Sequence, residues 1–182
     1  MIISEELEFV FLGIPRTSNR AMHLALLDLP GAYRNGSLHN MDVPAHCQDF
    51  FTFCAVRNPY RRTLAWFRWR QQPHPWGSDA AGMTFDDFIE ASAAGTMGPN
   101  TVRQFTQGLR LDHVIRYEDL PSSFHSIKSI PGIDQLRTIK IGQRLTRHWK
   151  MFYDQRLADR VFELTRADFE EFAYDRDSWR SD

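Results

Sequence analysis

Short apolar runs alternate with amphipathic segments along this chain, and the two patterns predict different elements. Runs that are apolar throughout and rich in β-branched and aromatic residues are typical of buried strands, and they occupy 7–14, 50–57 and 113–120. Helical spacing of apolar residues, or a helix-capping signal, predicts helices at 19–29, 59–69, 84–94, 100–109 (capped by Asn100) and 154–166, the last continuing into 167–175. The stretch "GSLH" at 36–39 is predicted as one further short strand.

This order of elements predicts the fold class. Apolar strands that alternate with helices favour an α/β fold whose central parallel sheet is covered by helices on both faces. A length of 182 residues predicts a single domain over 1–182. Ligands of such folds bind beyond the carboxyl ends of the strands. The segments that follow the three apolar runs are therefore the first places to look for function.

The first strand is followed by a polar, cationic turn at the start of a helix, in the stretch "FLGIPRTSNRAMHLALLDLP" at 11–30. The first amides of a helix have no partner within the helix and carry the positive end of its dipole, and Arg16 and Arg20 add charge there. This arrangement suits a phosphate. A capped helix start with two solvated arginines is the alternative interpretation.

The second strand ends in the same way, because Arg57-Asn58-Pro59 leads directly into a helix. The third strand ends at Glu118 and Asp119. Two cationic exits from neighbouring strands predict a ligand that carries phosphates at both ends. This coincidence favours anion binding over simple capping.

Charge and cysteine content narrow the classes of partner. The net charge is −1, and basic residues cluster locally instead of covering the chain, which favours a small polyanionic ligand and no nucleic acid. Cys47 and Cys54 lack zinc-site spacing, and Cys54 is predicted as a buried thiol. Neither a signal peptide nor a membrane span is recognisable, so we expect a cytoplasmic protein.

Several motifs together resemble a known family. The stretches "FVFLGIPRTSNRAMHLAL", "FTFCAVRNPYRRTLAWF" and "HVIRYEDL" are similar, in the same order, to the phosphosulfate-binding loop, the second signature and the later strand of sulfotransferases that use 3'-phosphoadenosine 5'-phosphosulfate (PAPS). The stretches "FDDFIE", "NTVRQF" and "YDQRLADRVFELTRADFEEFAYD" resemble the carbohydrate-sulfotransferase branch. The resemblance covers nearly the whole chain.

The resemblance implies a P-loop-like three-layer sandwich and transfer of a sulfuryl group from PAPS to a hydroxyl or amine, with PAP (3'-phosphoadenosine 5'-phosphate) as product and no metal. Arg16 takes the place of the loop lysine that stabilises the departing phosphate, and Arg57 would hold the 3'-phosphate. Ala65 stands where the family has a serine that also binds the 3'-phosphate, and Arg62 or Thr63 would have to substitute for it. The residues expected to wrap the 5'-phosphate with their amides are Thr17, Ser18, Asn19, Arg20 and Ala21.

Within this resemblance, transfer to an alcohol also needs a base for the acceptor proton. His39 is the first candidate and His46 the second, because the family places a histidine ahead of the Arg57 strand and no glutamate lies between residues 21 and 57. A loop histidine without a role is the alternative. A carbohydrate is the acceptor that the resemblance suggests, and the oligomeric state is not predicted.

The loop also departs from the family pattern, since Ser18 and Asn19 replace glycines and Arg16 replaces lysine. Arginine still stabilises a leaving group by its charge, but it does not give up a proton. These departures and Ala65 favour, as a second interpretation, a non-catalytic PAP- or PAPS-binding or interaction protein that keeps the fold. A kinase that uses ATP or GTP is disfavoured, because no Gly-Lys-(Ser/Thr) stretch is present to hold Mg²⁺ and phosphate.

Overall fold

The computed structural model describes residues 1–73, 79–97, 101–120, 122–125, 127–136 and 148–180. In this part, the strands are β1 (Ile2–Ser4), β2 (Phe9–Leu12), β3 (Ala32–Arg34), β4 (Phe51–Val56) and β5 (His113–Arg116). The α-helices are α1 (Asn19–Leu26), α2 (Pro59–Arg70), α3 (Phe85–Ala93), α4 (Val102–Thr106), α5 (Ser122–His125) and α6 (Gln155–Glu171). The protein is therefore of the mixed α/β class.

The five strands form one sheet in the order β3-β1-β2-β4-β5. Strands β2, β4 and β5 are parallel, whereas β1 pairs antiparallel with both β2 and β3. The three predicted strands are thus parallel, but the prediction of a parallel sheet does not hold for the whole sheet, which is mixed. Only a short turn joins β1 to β2, and a parallel pair needs a much longer crossover connection. Glu8, the last residue of this turn, has a positive φ of 50°.

Strands β1, β3 and β5 account for the other errors of the strand prediction. Residues 2–4 form β1, an element that the sequence pattern did not predict. The strand predicted at 36–39 is wrong, because Gly36 has a φ of 67° and Asn40 closes a turn by donating its amide to the Ser37 carbonyl at 3.2 Å. The neighbouring strand is instead Ala32–Arg34. The third predicted strand ends at Arg116, and Tyr117–Asp119 form a 3₁₀ turn.

Contacts divide the chain into two compact units. The first unit contains Met1–Arg57 and Phe105–Gly142, and the second contains Asn58–Gln104 and Gln143–Asp182. The single domain over 1–182 and the three-layer sandwich stay predictions.

The core of the first unit is the sheet with α1 packed on it. Strand β2 is fully buried, and Phe9 and Phe11 each pack on Phe53 of β4, with ring centroids 6.0 and 5.2 Å apart. Helix α1 adds Met22, whose side chain is buried in the same cluster. Both cysteines are buried free thiols, which confirms the prediction for Cys54.

The second unit has its own aromatic core, made by α2, α3 and α6. The Tyr60 ring lies 4.9 Å from Phe169 and 5.1 Å from Tyr153 between ring centroids. Helix α2 begins at Pro59 as predicted, and Thr84 caps α3 in a reciprocal pair of hydrogen bonds with Asp87. The Asn100 cap predicted for α4 lies outside the described residues. None of the described helices combines the length and apolar character that crossing a bilayer requires.

Candidate functional site

The ends of the parallel strands bring the two cationic exits together. Leu12 of β2 pairs with Cys54 of β4, and Val56 of β4 pairs with Arg116 of β5, so the residues that follow each strand share one edge of the sheet. Arg57 donates a hydrogen bond from Nη1 to the Arg16 carbonyl at 3.3 Å. The two exits predicted to grip one ligand are therefore in direct contact within the first unit.

Arg57 is buried at this junction. Its side chain belongs to a residue that is 7% exposed, and its Cζ lies 4.1 Å from the centre of the Tyr117 ring. A guanidinium stacked on an aromatic face is held in one orientation. Arg57 is therefore fixed beside the loop that follows β2.

The loop after β2 keeps an unusual backbone. Arg16 has a φ of 70° and Ser18 a φ of 72°, both in the left-handed region that favours glycine. Thr17 lies between them, is fully buried, and donates from Oγ1 to the Ile14 carbonyl at 2.8 Å. Ser18 occupies the place of a glycine in the pattern that the sequence resembles, and it adopts the conformation in which glycine would be unstrained.

The N-terminus of α1 presents amides to this loop. Ser18 precedes the helix and makes no side-chain cap. The amides of Ser18, Asn19 and Arg20 donate no hydrogen bond within the described part of the chain, whereas the Ala21 amide donates to the Ser18 carbonyl at 3.0 Å. The Thr17 amide likewise donates none, so four of the five amides predicted to bind a phosphate have no acceptor in the described part of the chain, and that of Ala21 is used within the helix.

A cleft of about 480 Å³ opens beside this helix start. Six of the nine predicted site residues line it, together with two leucines: Arg16, Ser18, Asn19, Arg20, Ala21, His39, Leu24 and Leu38. Of the other three, Thr17 and Arg57 are buried in the same unit, and Ala65 is half-buried in α2 of the second unit.

Gly13 explains how the segment around residue 38 reaches the loop. A Cβ on Gly13 would lie 2.0 Å from the Leu38 carbonyl oxygen, a distance that no side chain tolerates. The absence of a side chain lets the two backbones touch, and this contact carries the adjacent His39 to the exit of β2. The sequence analysis missed Gly13, although a glycine at a strand exit ahead of Pro15 was a usable signal.

His39 is held through one nitrogen of its ring, Nδ1. Nδ1 lies 2.7 Å from the Gly13 carbonyl oxygen and 3.1 Å from the side-chain amide of Asn19. The residue is otherwise exposed, and Nε2 makes no hydrogen bond with any residue that the structure describes. Desolvation of the ring and the charge of Arg16 lower the pKa of His39, while the bond to the Gly13 carbonyl opposes the change. The imidazole is therefore neutral at neutral pH.

The second histidine candidate lies in a different setting. His46 is in a 3₁₀ turn over Ala45–Cys47, and its Nε2 is 3.3 Å from an oxygen of the exposed Glu5 carboxylate. It is not among the residues that line the described cleft. Of the two, only His39 joins the polar groups of the loop.

The residues proposed to substitute for a serine at position 65 serve the interior of the second unit. Arg62 is 1% exposed, and its Nη1 lies 3.7 Å from the Asp168 carboxylate. Thr63 is also 1% exposed. Asp168 additionally accepts hydrogen bonds from the Val102 amide at 2.8 and 2.9 Å. This buried pair connects α2, α4 and α6.

No protein-family model matches the sequence, and no match was found among curated proteins or solved structures. Among the described residues, no group of three histidine, cysteine or carboxylate side chains is arranged to hold a metal ion.

Proposed function

We propose that this protein transfers a sulfuryl group from PAPS to a hydroxyl or amine of an acceptor. The proposal rests on the hydrogen bond between Arg57 and the Arg16 carbonyl, because it joins two cationic strand exits at one place. A donor with phosphates at both ends needs two such anion sites side by side. The P-loop-like fold and the carbohydrate class of acceptor belong to the same proposal.

The residues of the loop fit the donor. Helix-start amides and guanidinium groups bind phosphate oxygens, and both kinds of donor border a cleft of about 480 Å³. PAPS would supply an activated sulfuryl group on its 5'-phosphate. Arg16 and the amides of Ser18, Asn19 and Arg20 would hold that phosphate, and Arg57 would hold the 3'-phosphate.

The chemistry assigned to this chain is electrostatic stabilisation and proton transfer. As the acceptor oxygen bonds to sulfur and the sulfur–oxygen bond to the phosphate breaks, negative charge grows on the phosphate oxygen. Arg16 stabilises this charge without giving up a proton. Nε2 of His39 takes the acceptor's proton, a role that suits a neutral imidazole of lowered pKa. The products are a sulfate ester, PAP and the proton on His39.

Binding is tested by calorimetry with PAP, with ATP as the competing ligand class. We expect PAP to bind and ATP to bind far more weakly, and we expect Arg57→Ala to abolish PAP binding. Arg34→Ala is the matched control, since Arg34 is exposed on β3. Equal affinity for PAP and ATP, or full PAP binding by Arg57→Ala, would contradict the proposal.

Turnover is tested by PAP production from PAPS with a panel of glycans, small alcohols and amines. His39→Ala should keep PAP affinity and lower turnover by about 10²- to 10⁴-fold, the usual contribution of a general base. His46→Ala, the control from the same segment, should leave turnover unchanged. PAP binding without turnover on any acceptor would favour the non-catalytic alternative. Ala65, which stands where the family has a serine, also favours that alternative.

A further inference from the structure

The surroundings of His39 determine which of its ring nitrogens carries the proton. Nδ1 lies 2.7 Å from the carbonyl oxygen of Gly13. A carbonyl oxygen can only accept a hydrogen bond, so a contact this short requires a proton on Nδ1. A neutral imidazole has one ring proton, and Nε2 is therefore the nitrogen with the lone pair.

The Asn19 side chain must agree with this assignment. In the structure its amide nitrogen is the atom 3.1 Å from the same Nδ1, and this would place two donors face to face when Nδ1 carries the proton. The oxygen of the amide must then face His39, because the two ends of an asparagine amide are assigned from their partners. With the amide turned over in this way, its nitrogen replaces the oxygen that lies 3.3 Å from Oγ1 of Thr17.

Thr17 completes the network without conflict. Its hydroxyl donates to the Ile14 carbonyl at 2.8 Å and has lone pairs left to accept from the Asn19 amide nitrogen. One N–H of the Asn19 amide, the Thr17 hydroxyl and the Nδ1–H of His39 then each meet an acceptor. Asn19 is 6% exposed, so both of its polar ends depend on these partners.

We propose that Asn19 is a positioning residue that, together with the Gly13 carbonyl, holds His39 in the tautomer with the proton on Nδ1 and the lone pair on Nε2. The role of this lone pair as acceptor of a substrate proton rests on the proposed function. The tautomer itself does not, since it follows from the contacts of Gly13 and Asn19. The hydrogen bond made by one ring nitrogen decides the state of the other.

The same residue connects the two halves of the site. The backbone amide of Asn19 is among the unbonded amides at the start of α1, and its side chain orients His39. A shift of the loop would therefore move the histidine as well. This dual use explains why a residue with a short amide side chain stands where the family pattern has glycine or threonine.

The tautomer is measured on the full chain by nitrogen-15 NMR of the histidine rings at neutral pH. His39, assigned through His39→Gln, should show a protonated Nδ1 and an unprotonated Nε2. Asn19→Ala should partly convert it to the other tautomer, and Asn19→Asp should preserve it because a carboxylate oxygen still accepts from Nδ1. Asn40→Ala is the matched control, because Asn40 bonds to Asn35 and to the Asp42 amide.

Turnover supplies the second readout. Asn19→Ala should lower turnover by about 10- to 100-fold with PAP affinity unchanged, as expected for a residue that orients a reactive histidine. Asn40→Ala should show no such loss, and Asn19→Asp is compared by its tautomer alone because its negative charge would face the phosphate. A merely structural Asn19 would instead change turnover in proportion to the loss of folded protein.

The role of Asn19 and the proposed function would be contradicted by different results. A wild-type His39 protonated on Nε2, or one whose tautomer is the same in Asn19→Ala, would overturn the role of Asn19. A protein that shows the expected tautomers but does not bind PAP would overturn the proposed function and leave the arrangement of Asn19 and His39 standing.

Discussion

Each unit contains a group of polar side chains that contact one another, and the two groups differ in whether their last polar atom has a hydrogen-bond partner. In the first unit, hydrogen bonds connect Thr17, Asn19 and His39, and the series stops at a ring nitrogen that meets no described residue. In the second unit, the side chains of Arg62 and Asp168 are 1% and 2% exposed and face each other. We call Thr17, Asn19 and His39 the open group, because its last ring nitrogen makes no hydrogen bond with a described residue, and we call Arg62 and Asp168 the closed group.

The closed group stabilises the fold of its unit. Asp168 accepts from the Val102 and Arg103 amides at the start of α4 while it faces Arg62, so one carboxylate caps a helix and neutralises a buried cation. Burial raises the pKa of Asp168, and the Val102 amide and Arg62 oppose the change. The closed group therefore serves to hold α2, α4 and α6 together.

The open group carries conformational strain instead. Arg16 and Ser18 lie in the left-handed region beside it, where residues other than glycine cost about 1 kcal/mol or more each. Strain of this kind persists only where surrounding contacts fix it. The comparison indicates that the second unit uses its polar groups for stability, whereas the first unit uses them to hold a ring nitrogen of His39 beside the cleft.

Removal of Asp168 should produce the largest effect. Asp168→Ala removes the carboxylate that faces the buried Arg62 charge and uncaps α4, which should lower the free energy of unfolding by about 3–5 kcal/mol. Urea unfolding followed by circular dichroism measures the loss. Asp159→Ala, which removes an exposed partner of Arg176, is the control and should change stability only slightly. Similar losses of unfolding free energy in the two variants would show that the pair of Asp168 and Arg62 is not shielded from solvent.

Acid should weaken the first unit through another histidine. His23 is 3% exposed, and its burial, with smaller contributions from nearby charges, lowers its pKa from 6.5 to about 4. The unfolded chain binds this proton below pH 6.5, whereas the folded chain binds it only near pH 4. Stability is therefore full above pH 6.5 and falls as the pH drops through this window, by up to about 3 kcal/mol.

His23→Leu isolates this contribution. Unfolding free energies of both proteins are measured from pH 7 to pH 4, and the wild type should lose up to about 3 kcal/mol more than the variant, because the variant lacks the group that takes up the proton. His46→Gln, at an exposed position, should follow the wild type. Parallel curves for wild type and His23→Leu would mean that His23 is not buried in its neutral form.

Elements with strong local signals could be predicted from the sequence. Strand β4 is a continuous apolar run, α2 begins at a proline, and Thr84 with Asp87 forms a capping box, so local chemistry decides each of them. Strands β1 and β3 have three residues each, too few to show a period. Their antiparallel pairing, which made the sheet mixed, depends on contacts between distant residues.

The candidate site shows the same division. The loop residues and Arg57 could be proposed from motifs, because the residues that form each anion site are neighbours in the sequence. The contact of Gly13 with the Leu38 carbonyl joins segments 25 residues apart in the chain, and that of Asp168 with Val102 joins residues 66 apart. No local pattern encodes such contacts, and they decide which histidine and which arginine are available.

The smallest expected effect concerns the strain at Ser18. Ser18→Gly allows the φ of 72° without steric cost, and since the side chain caps nothing, the free energy of unfolding should rise by about 1 kcal/mol. Ala173→Gly, at a φ of 50° after α6, should give a similar gain in the second unit, whereas Ala91→Gly inside α3 should lose about 1 kcal/mol. Only Ser18→Gly should also change the affinity for PAP, because only this substitution alters the loop at the start of α1. If Ser18→Gly loses stability as Ala91→Gly does, the loop is not left-handed at this residue, and the contrast between a strained open site and a relaxed closed one would no longer hold.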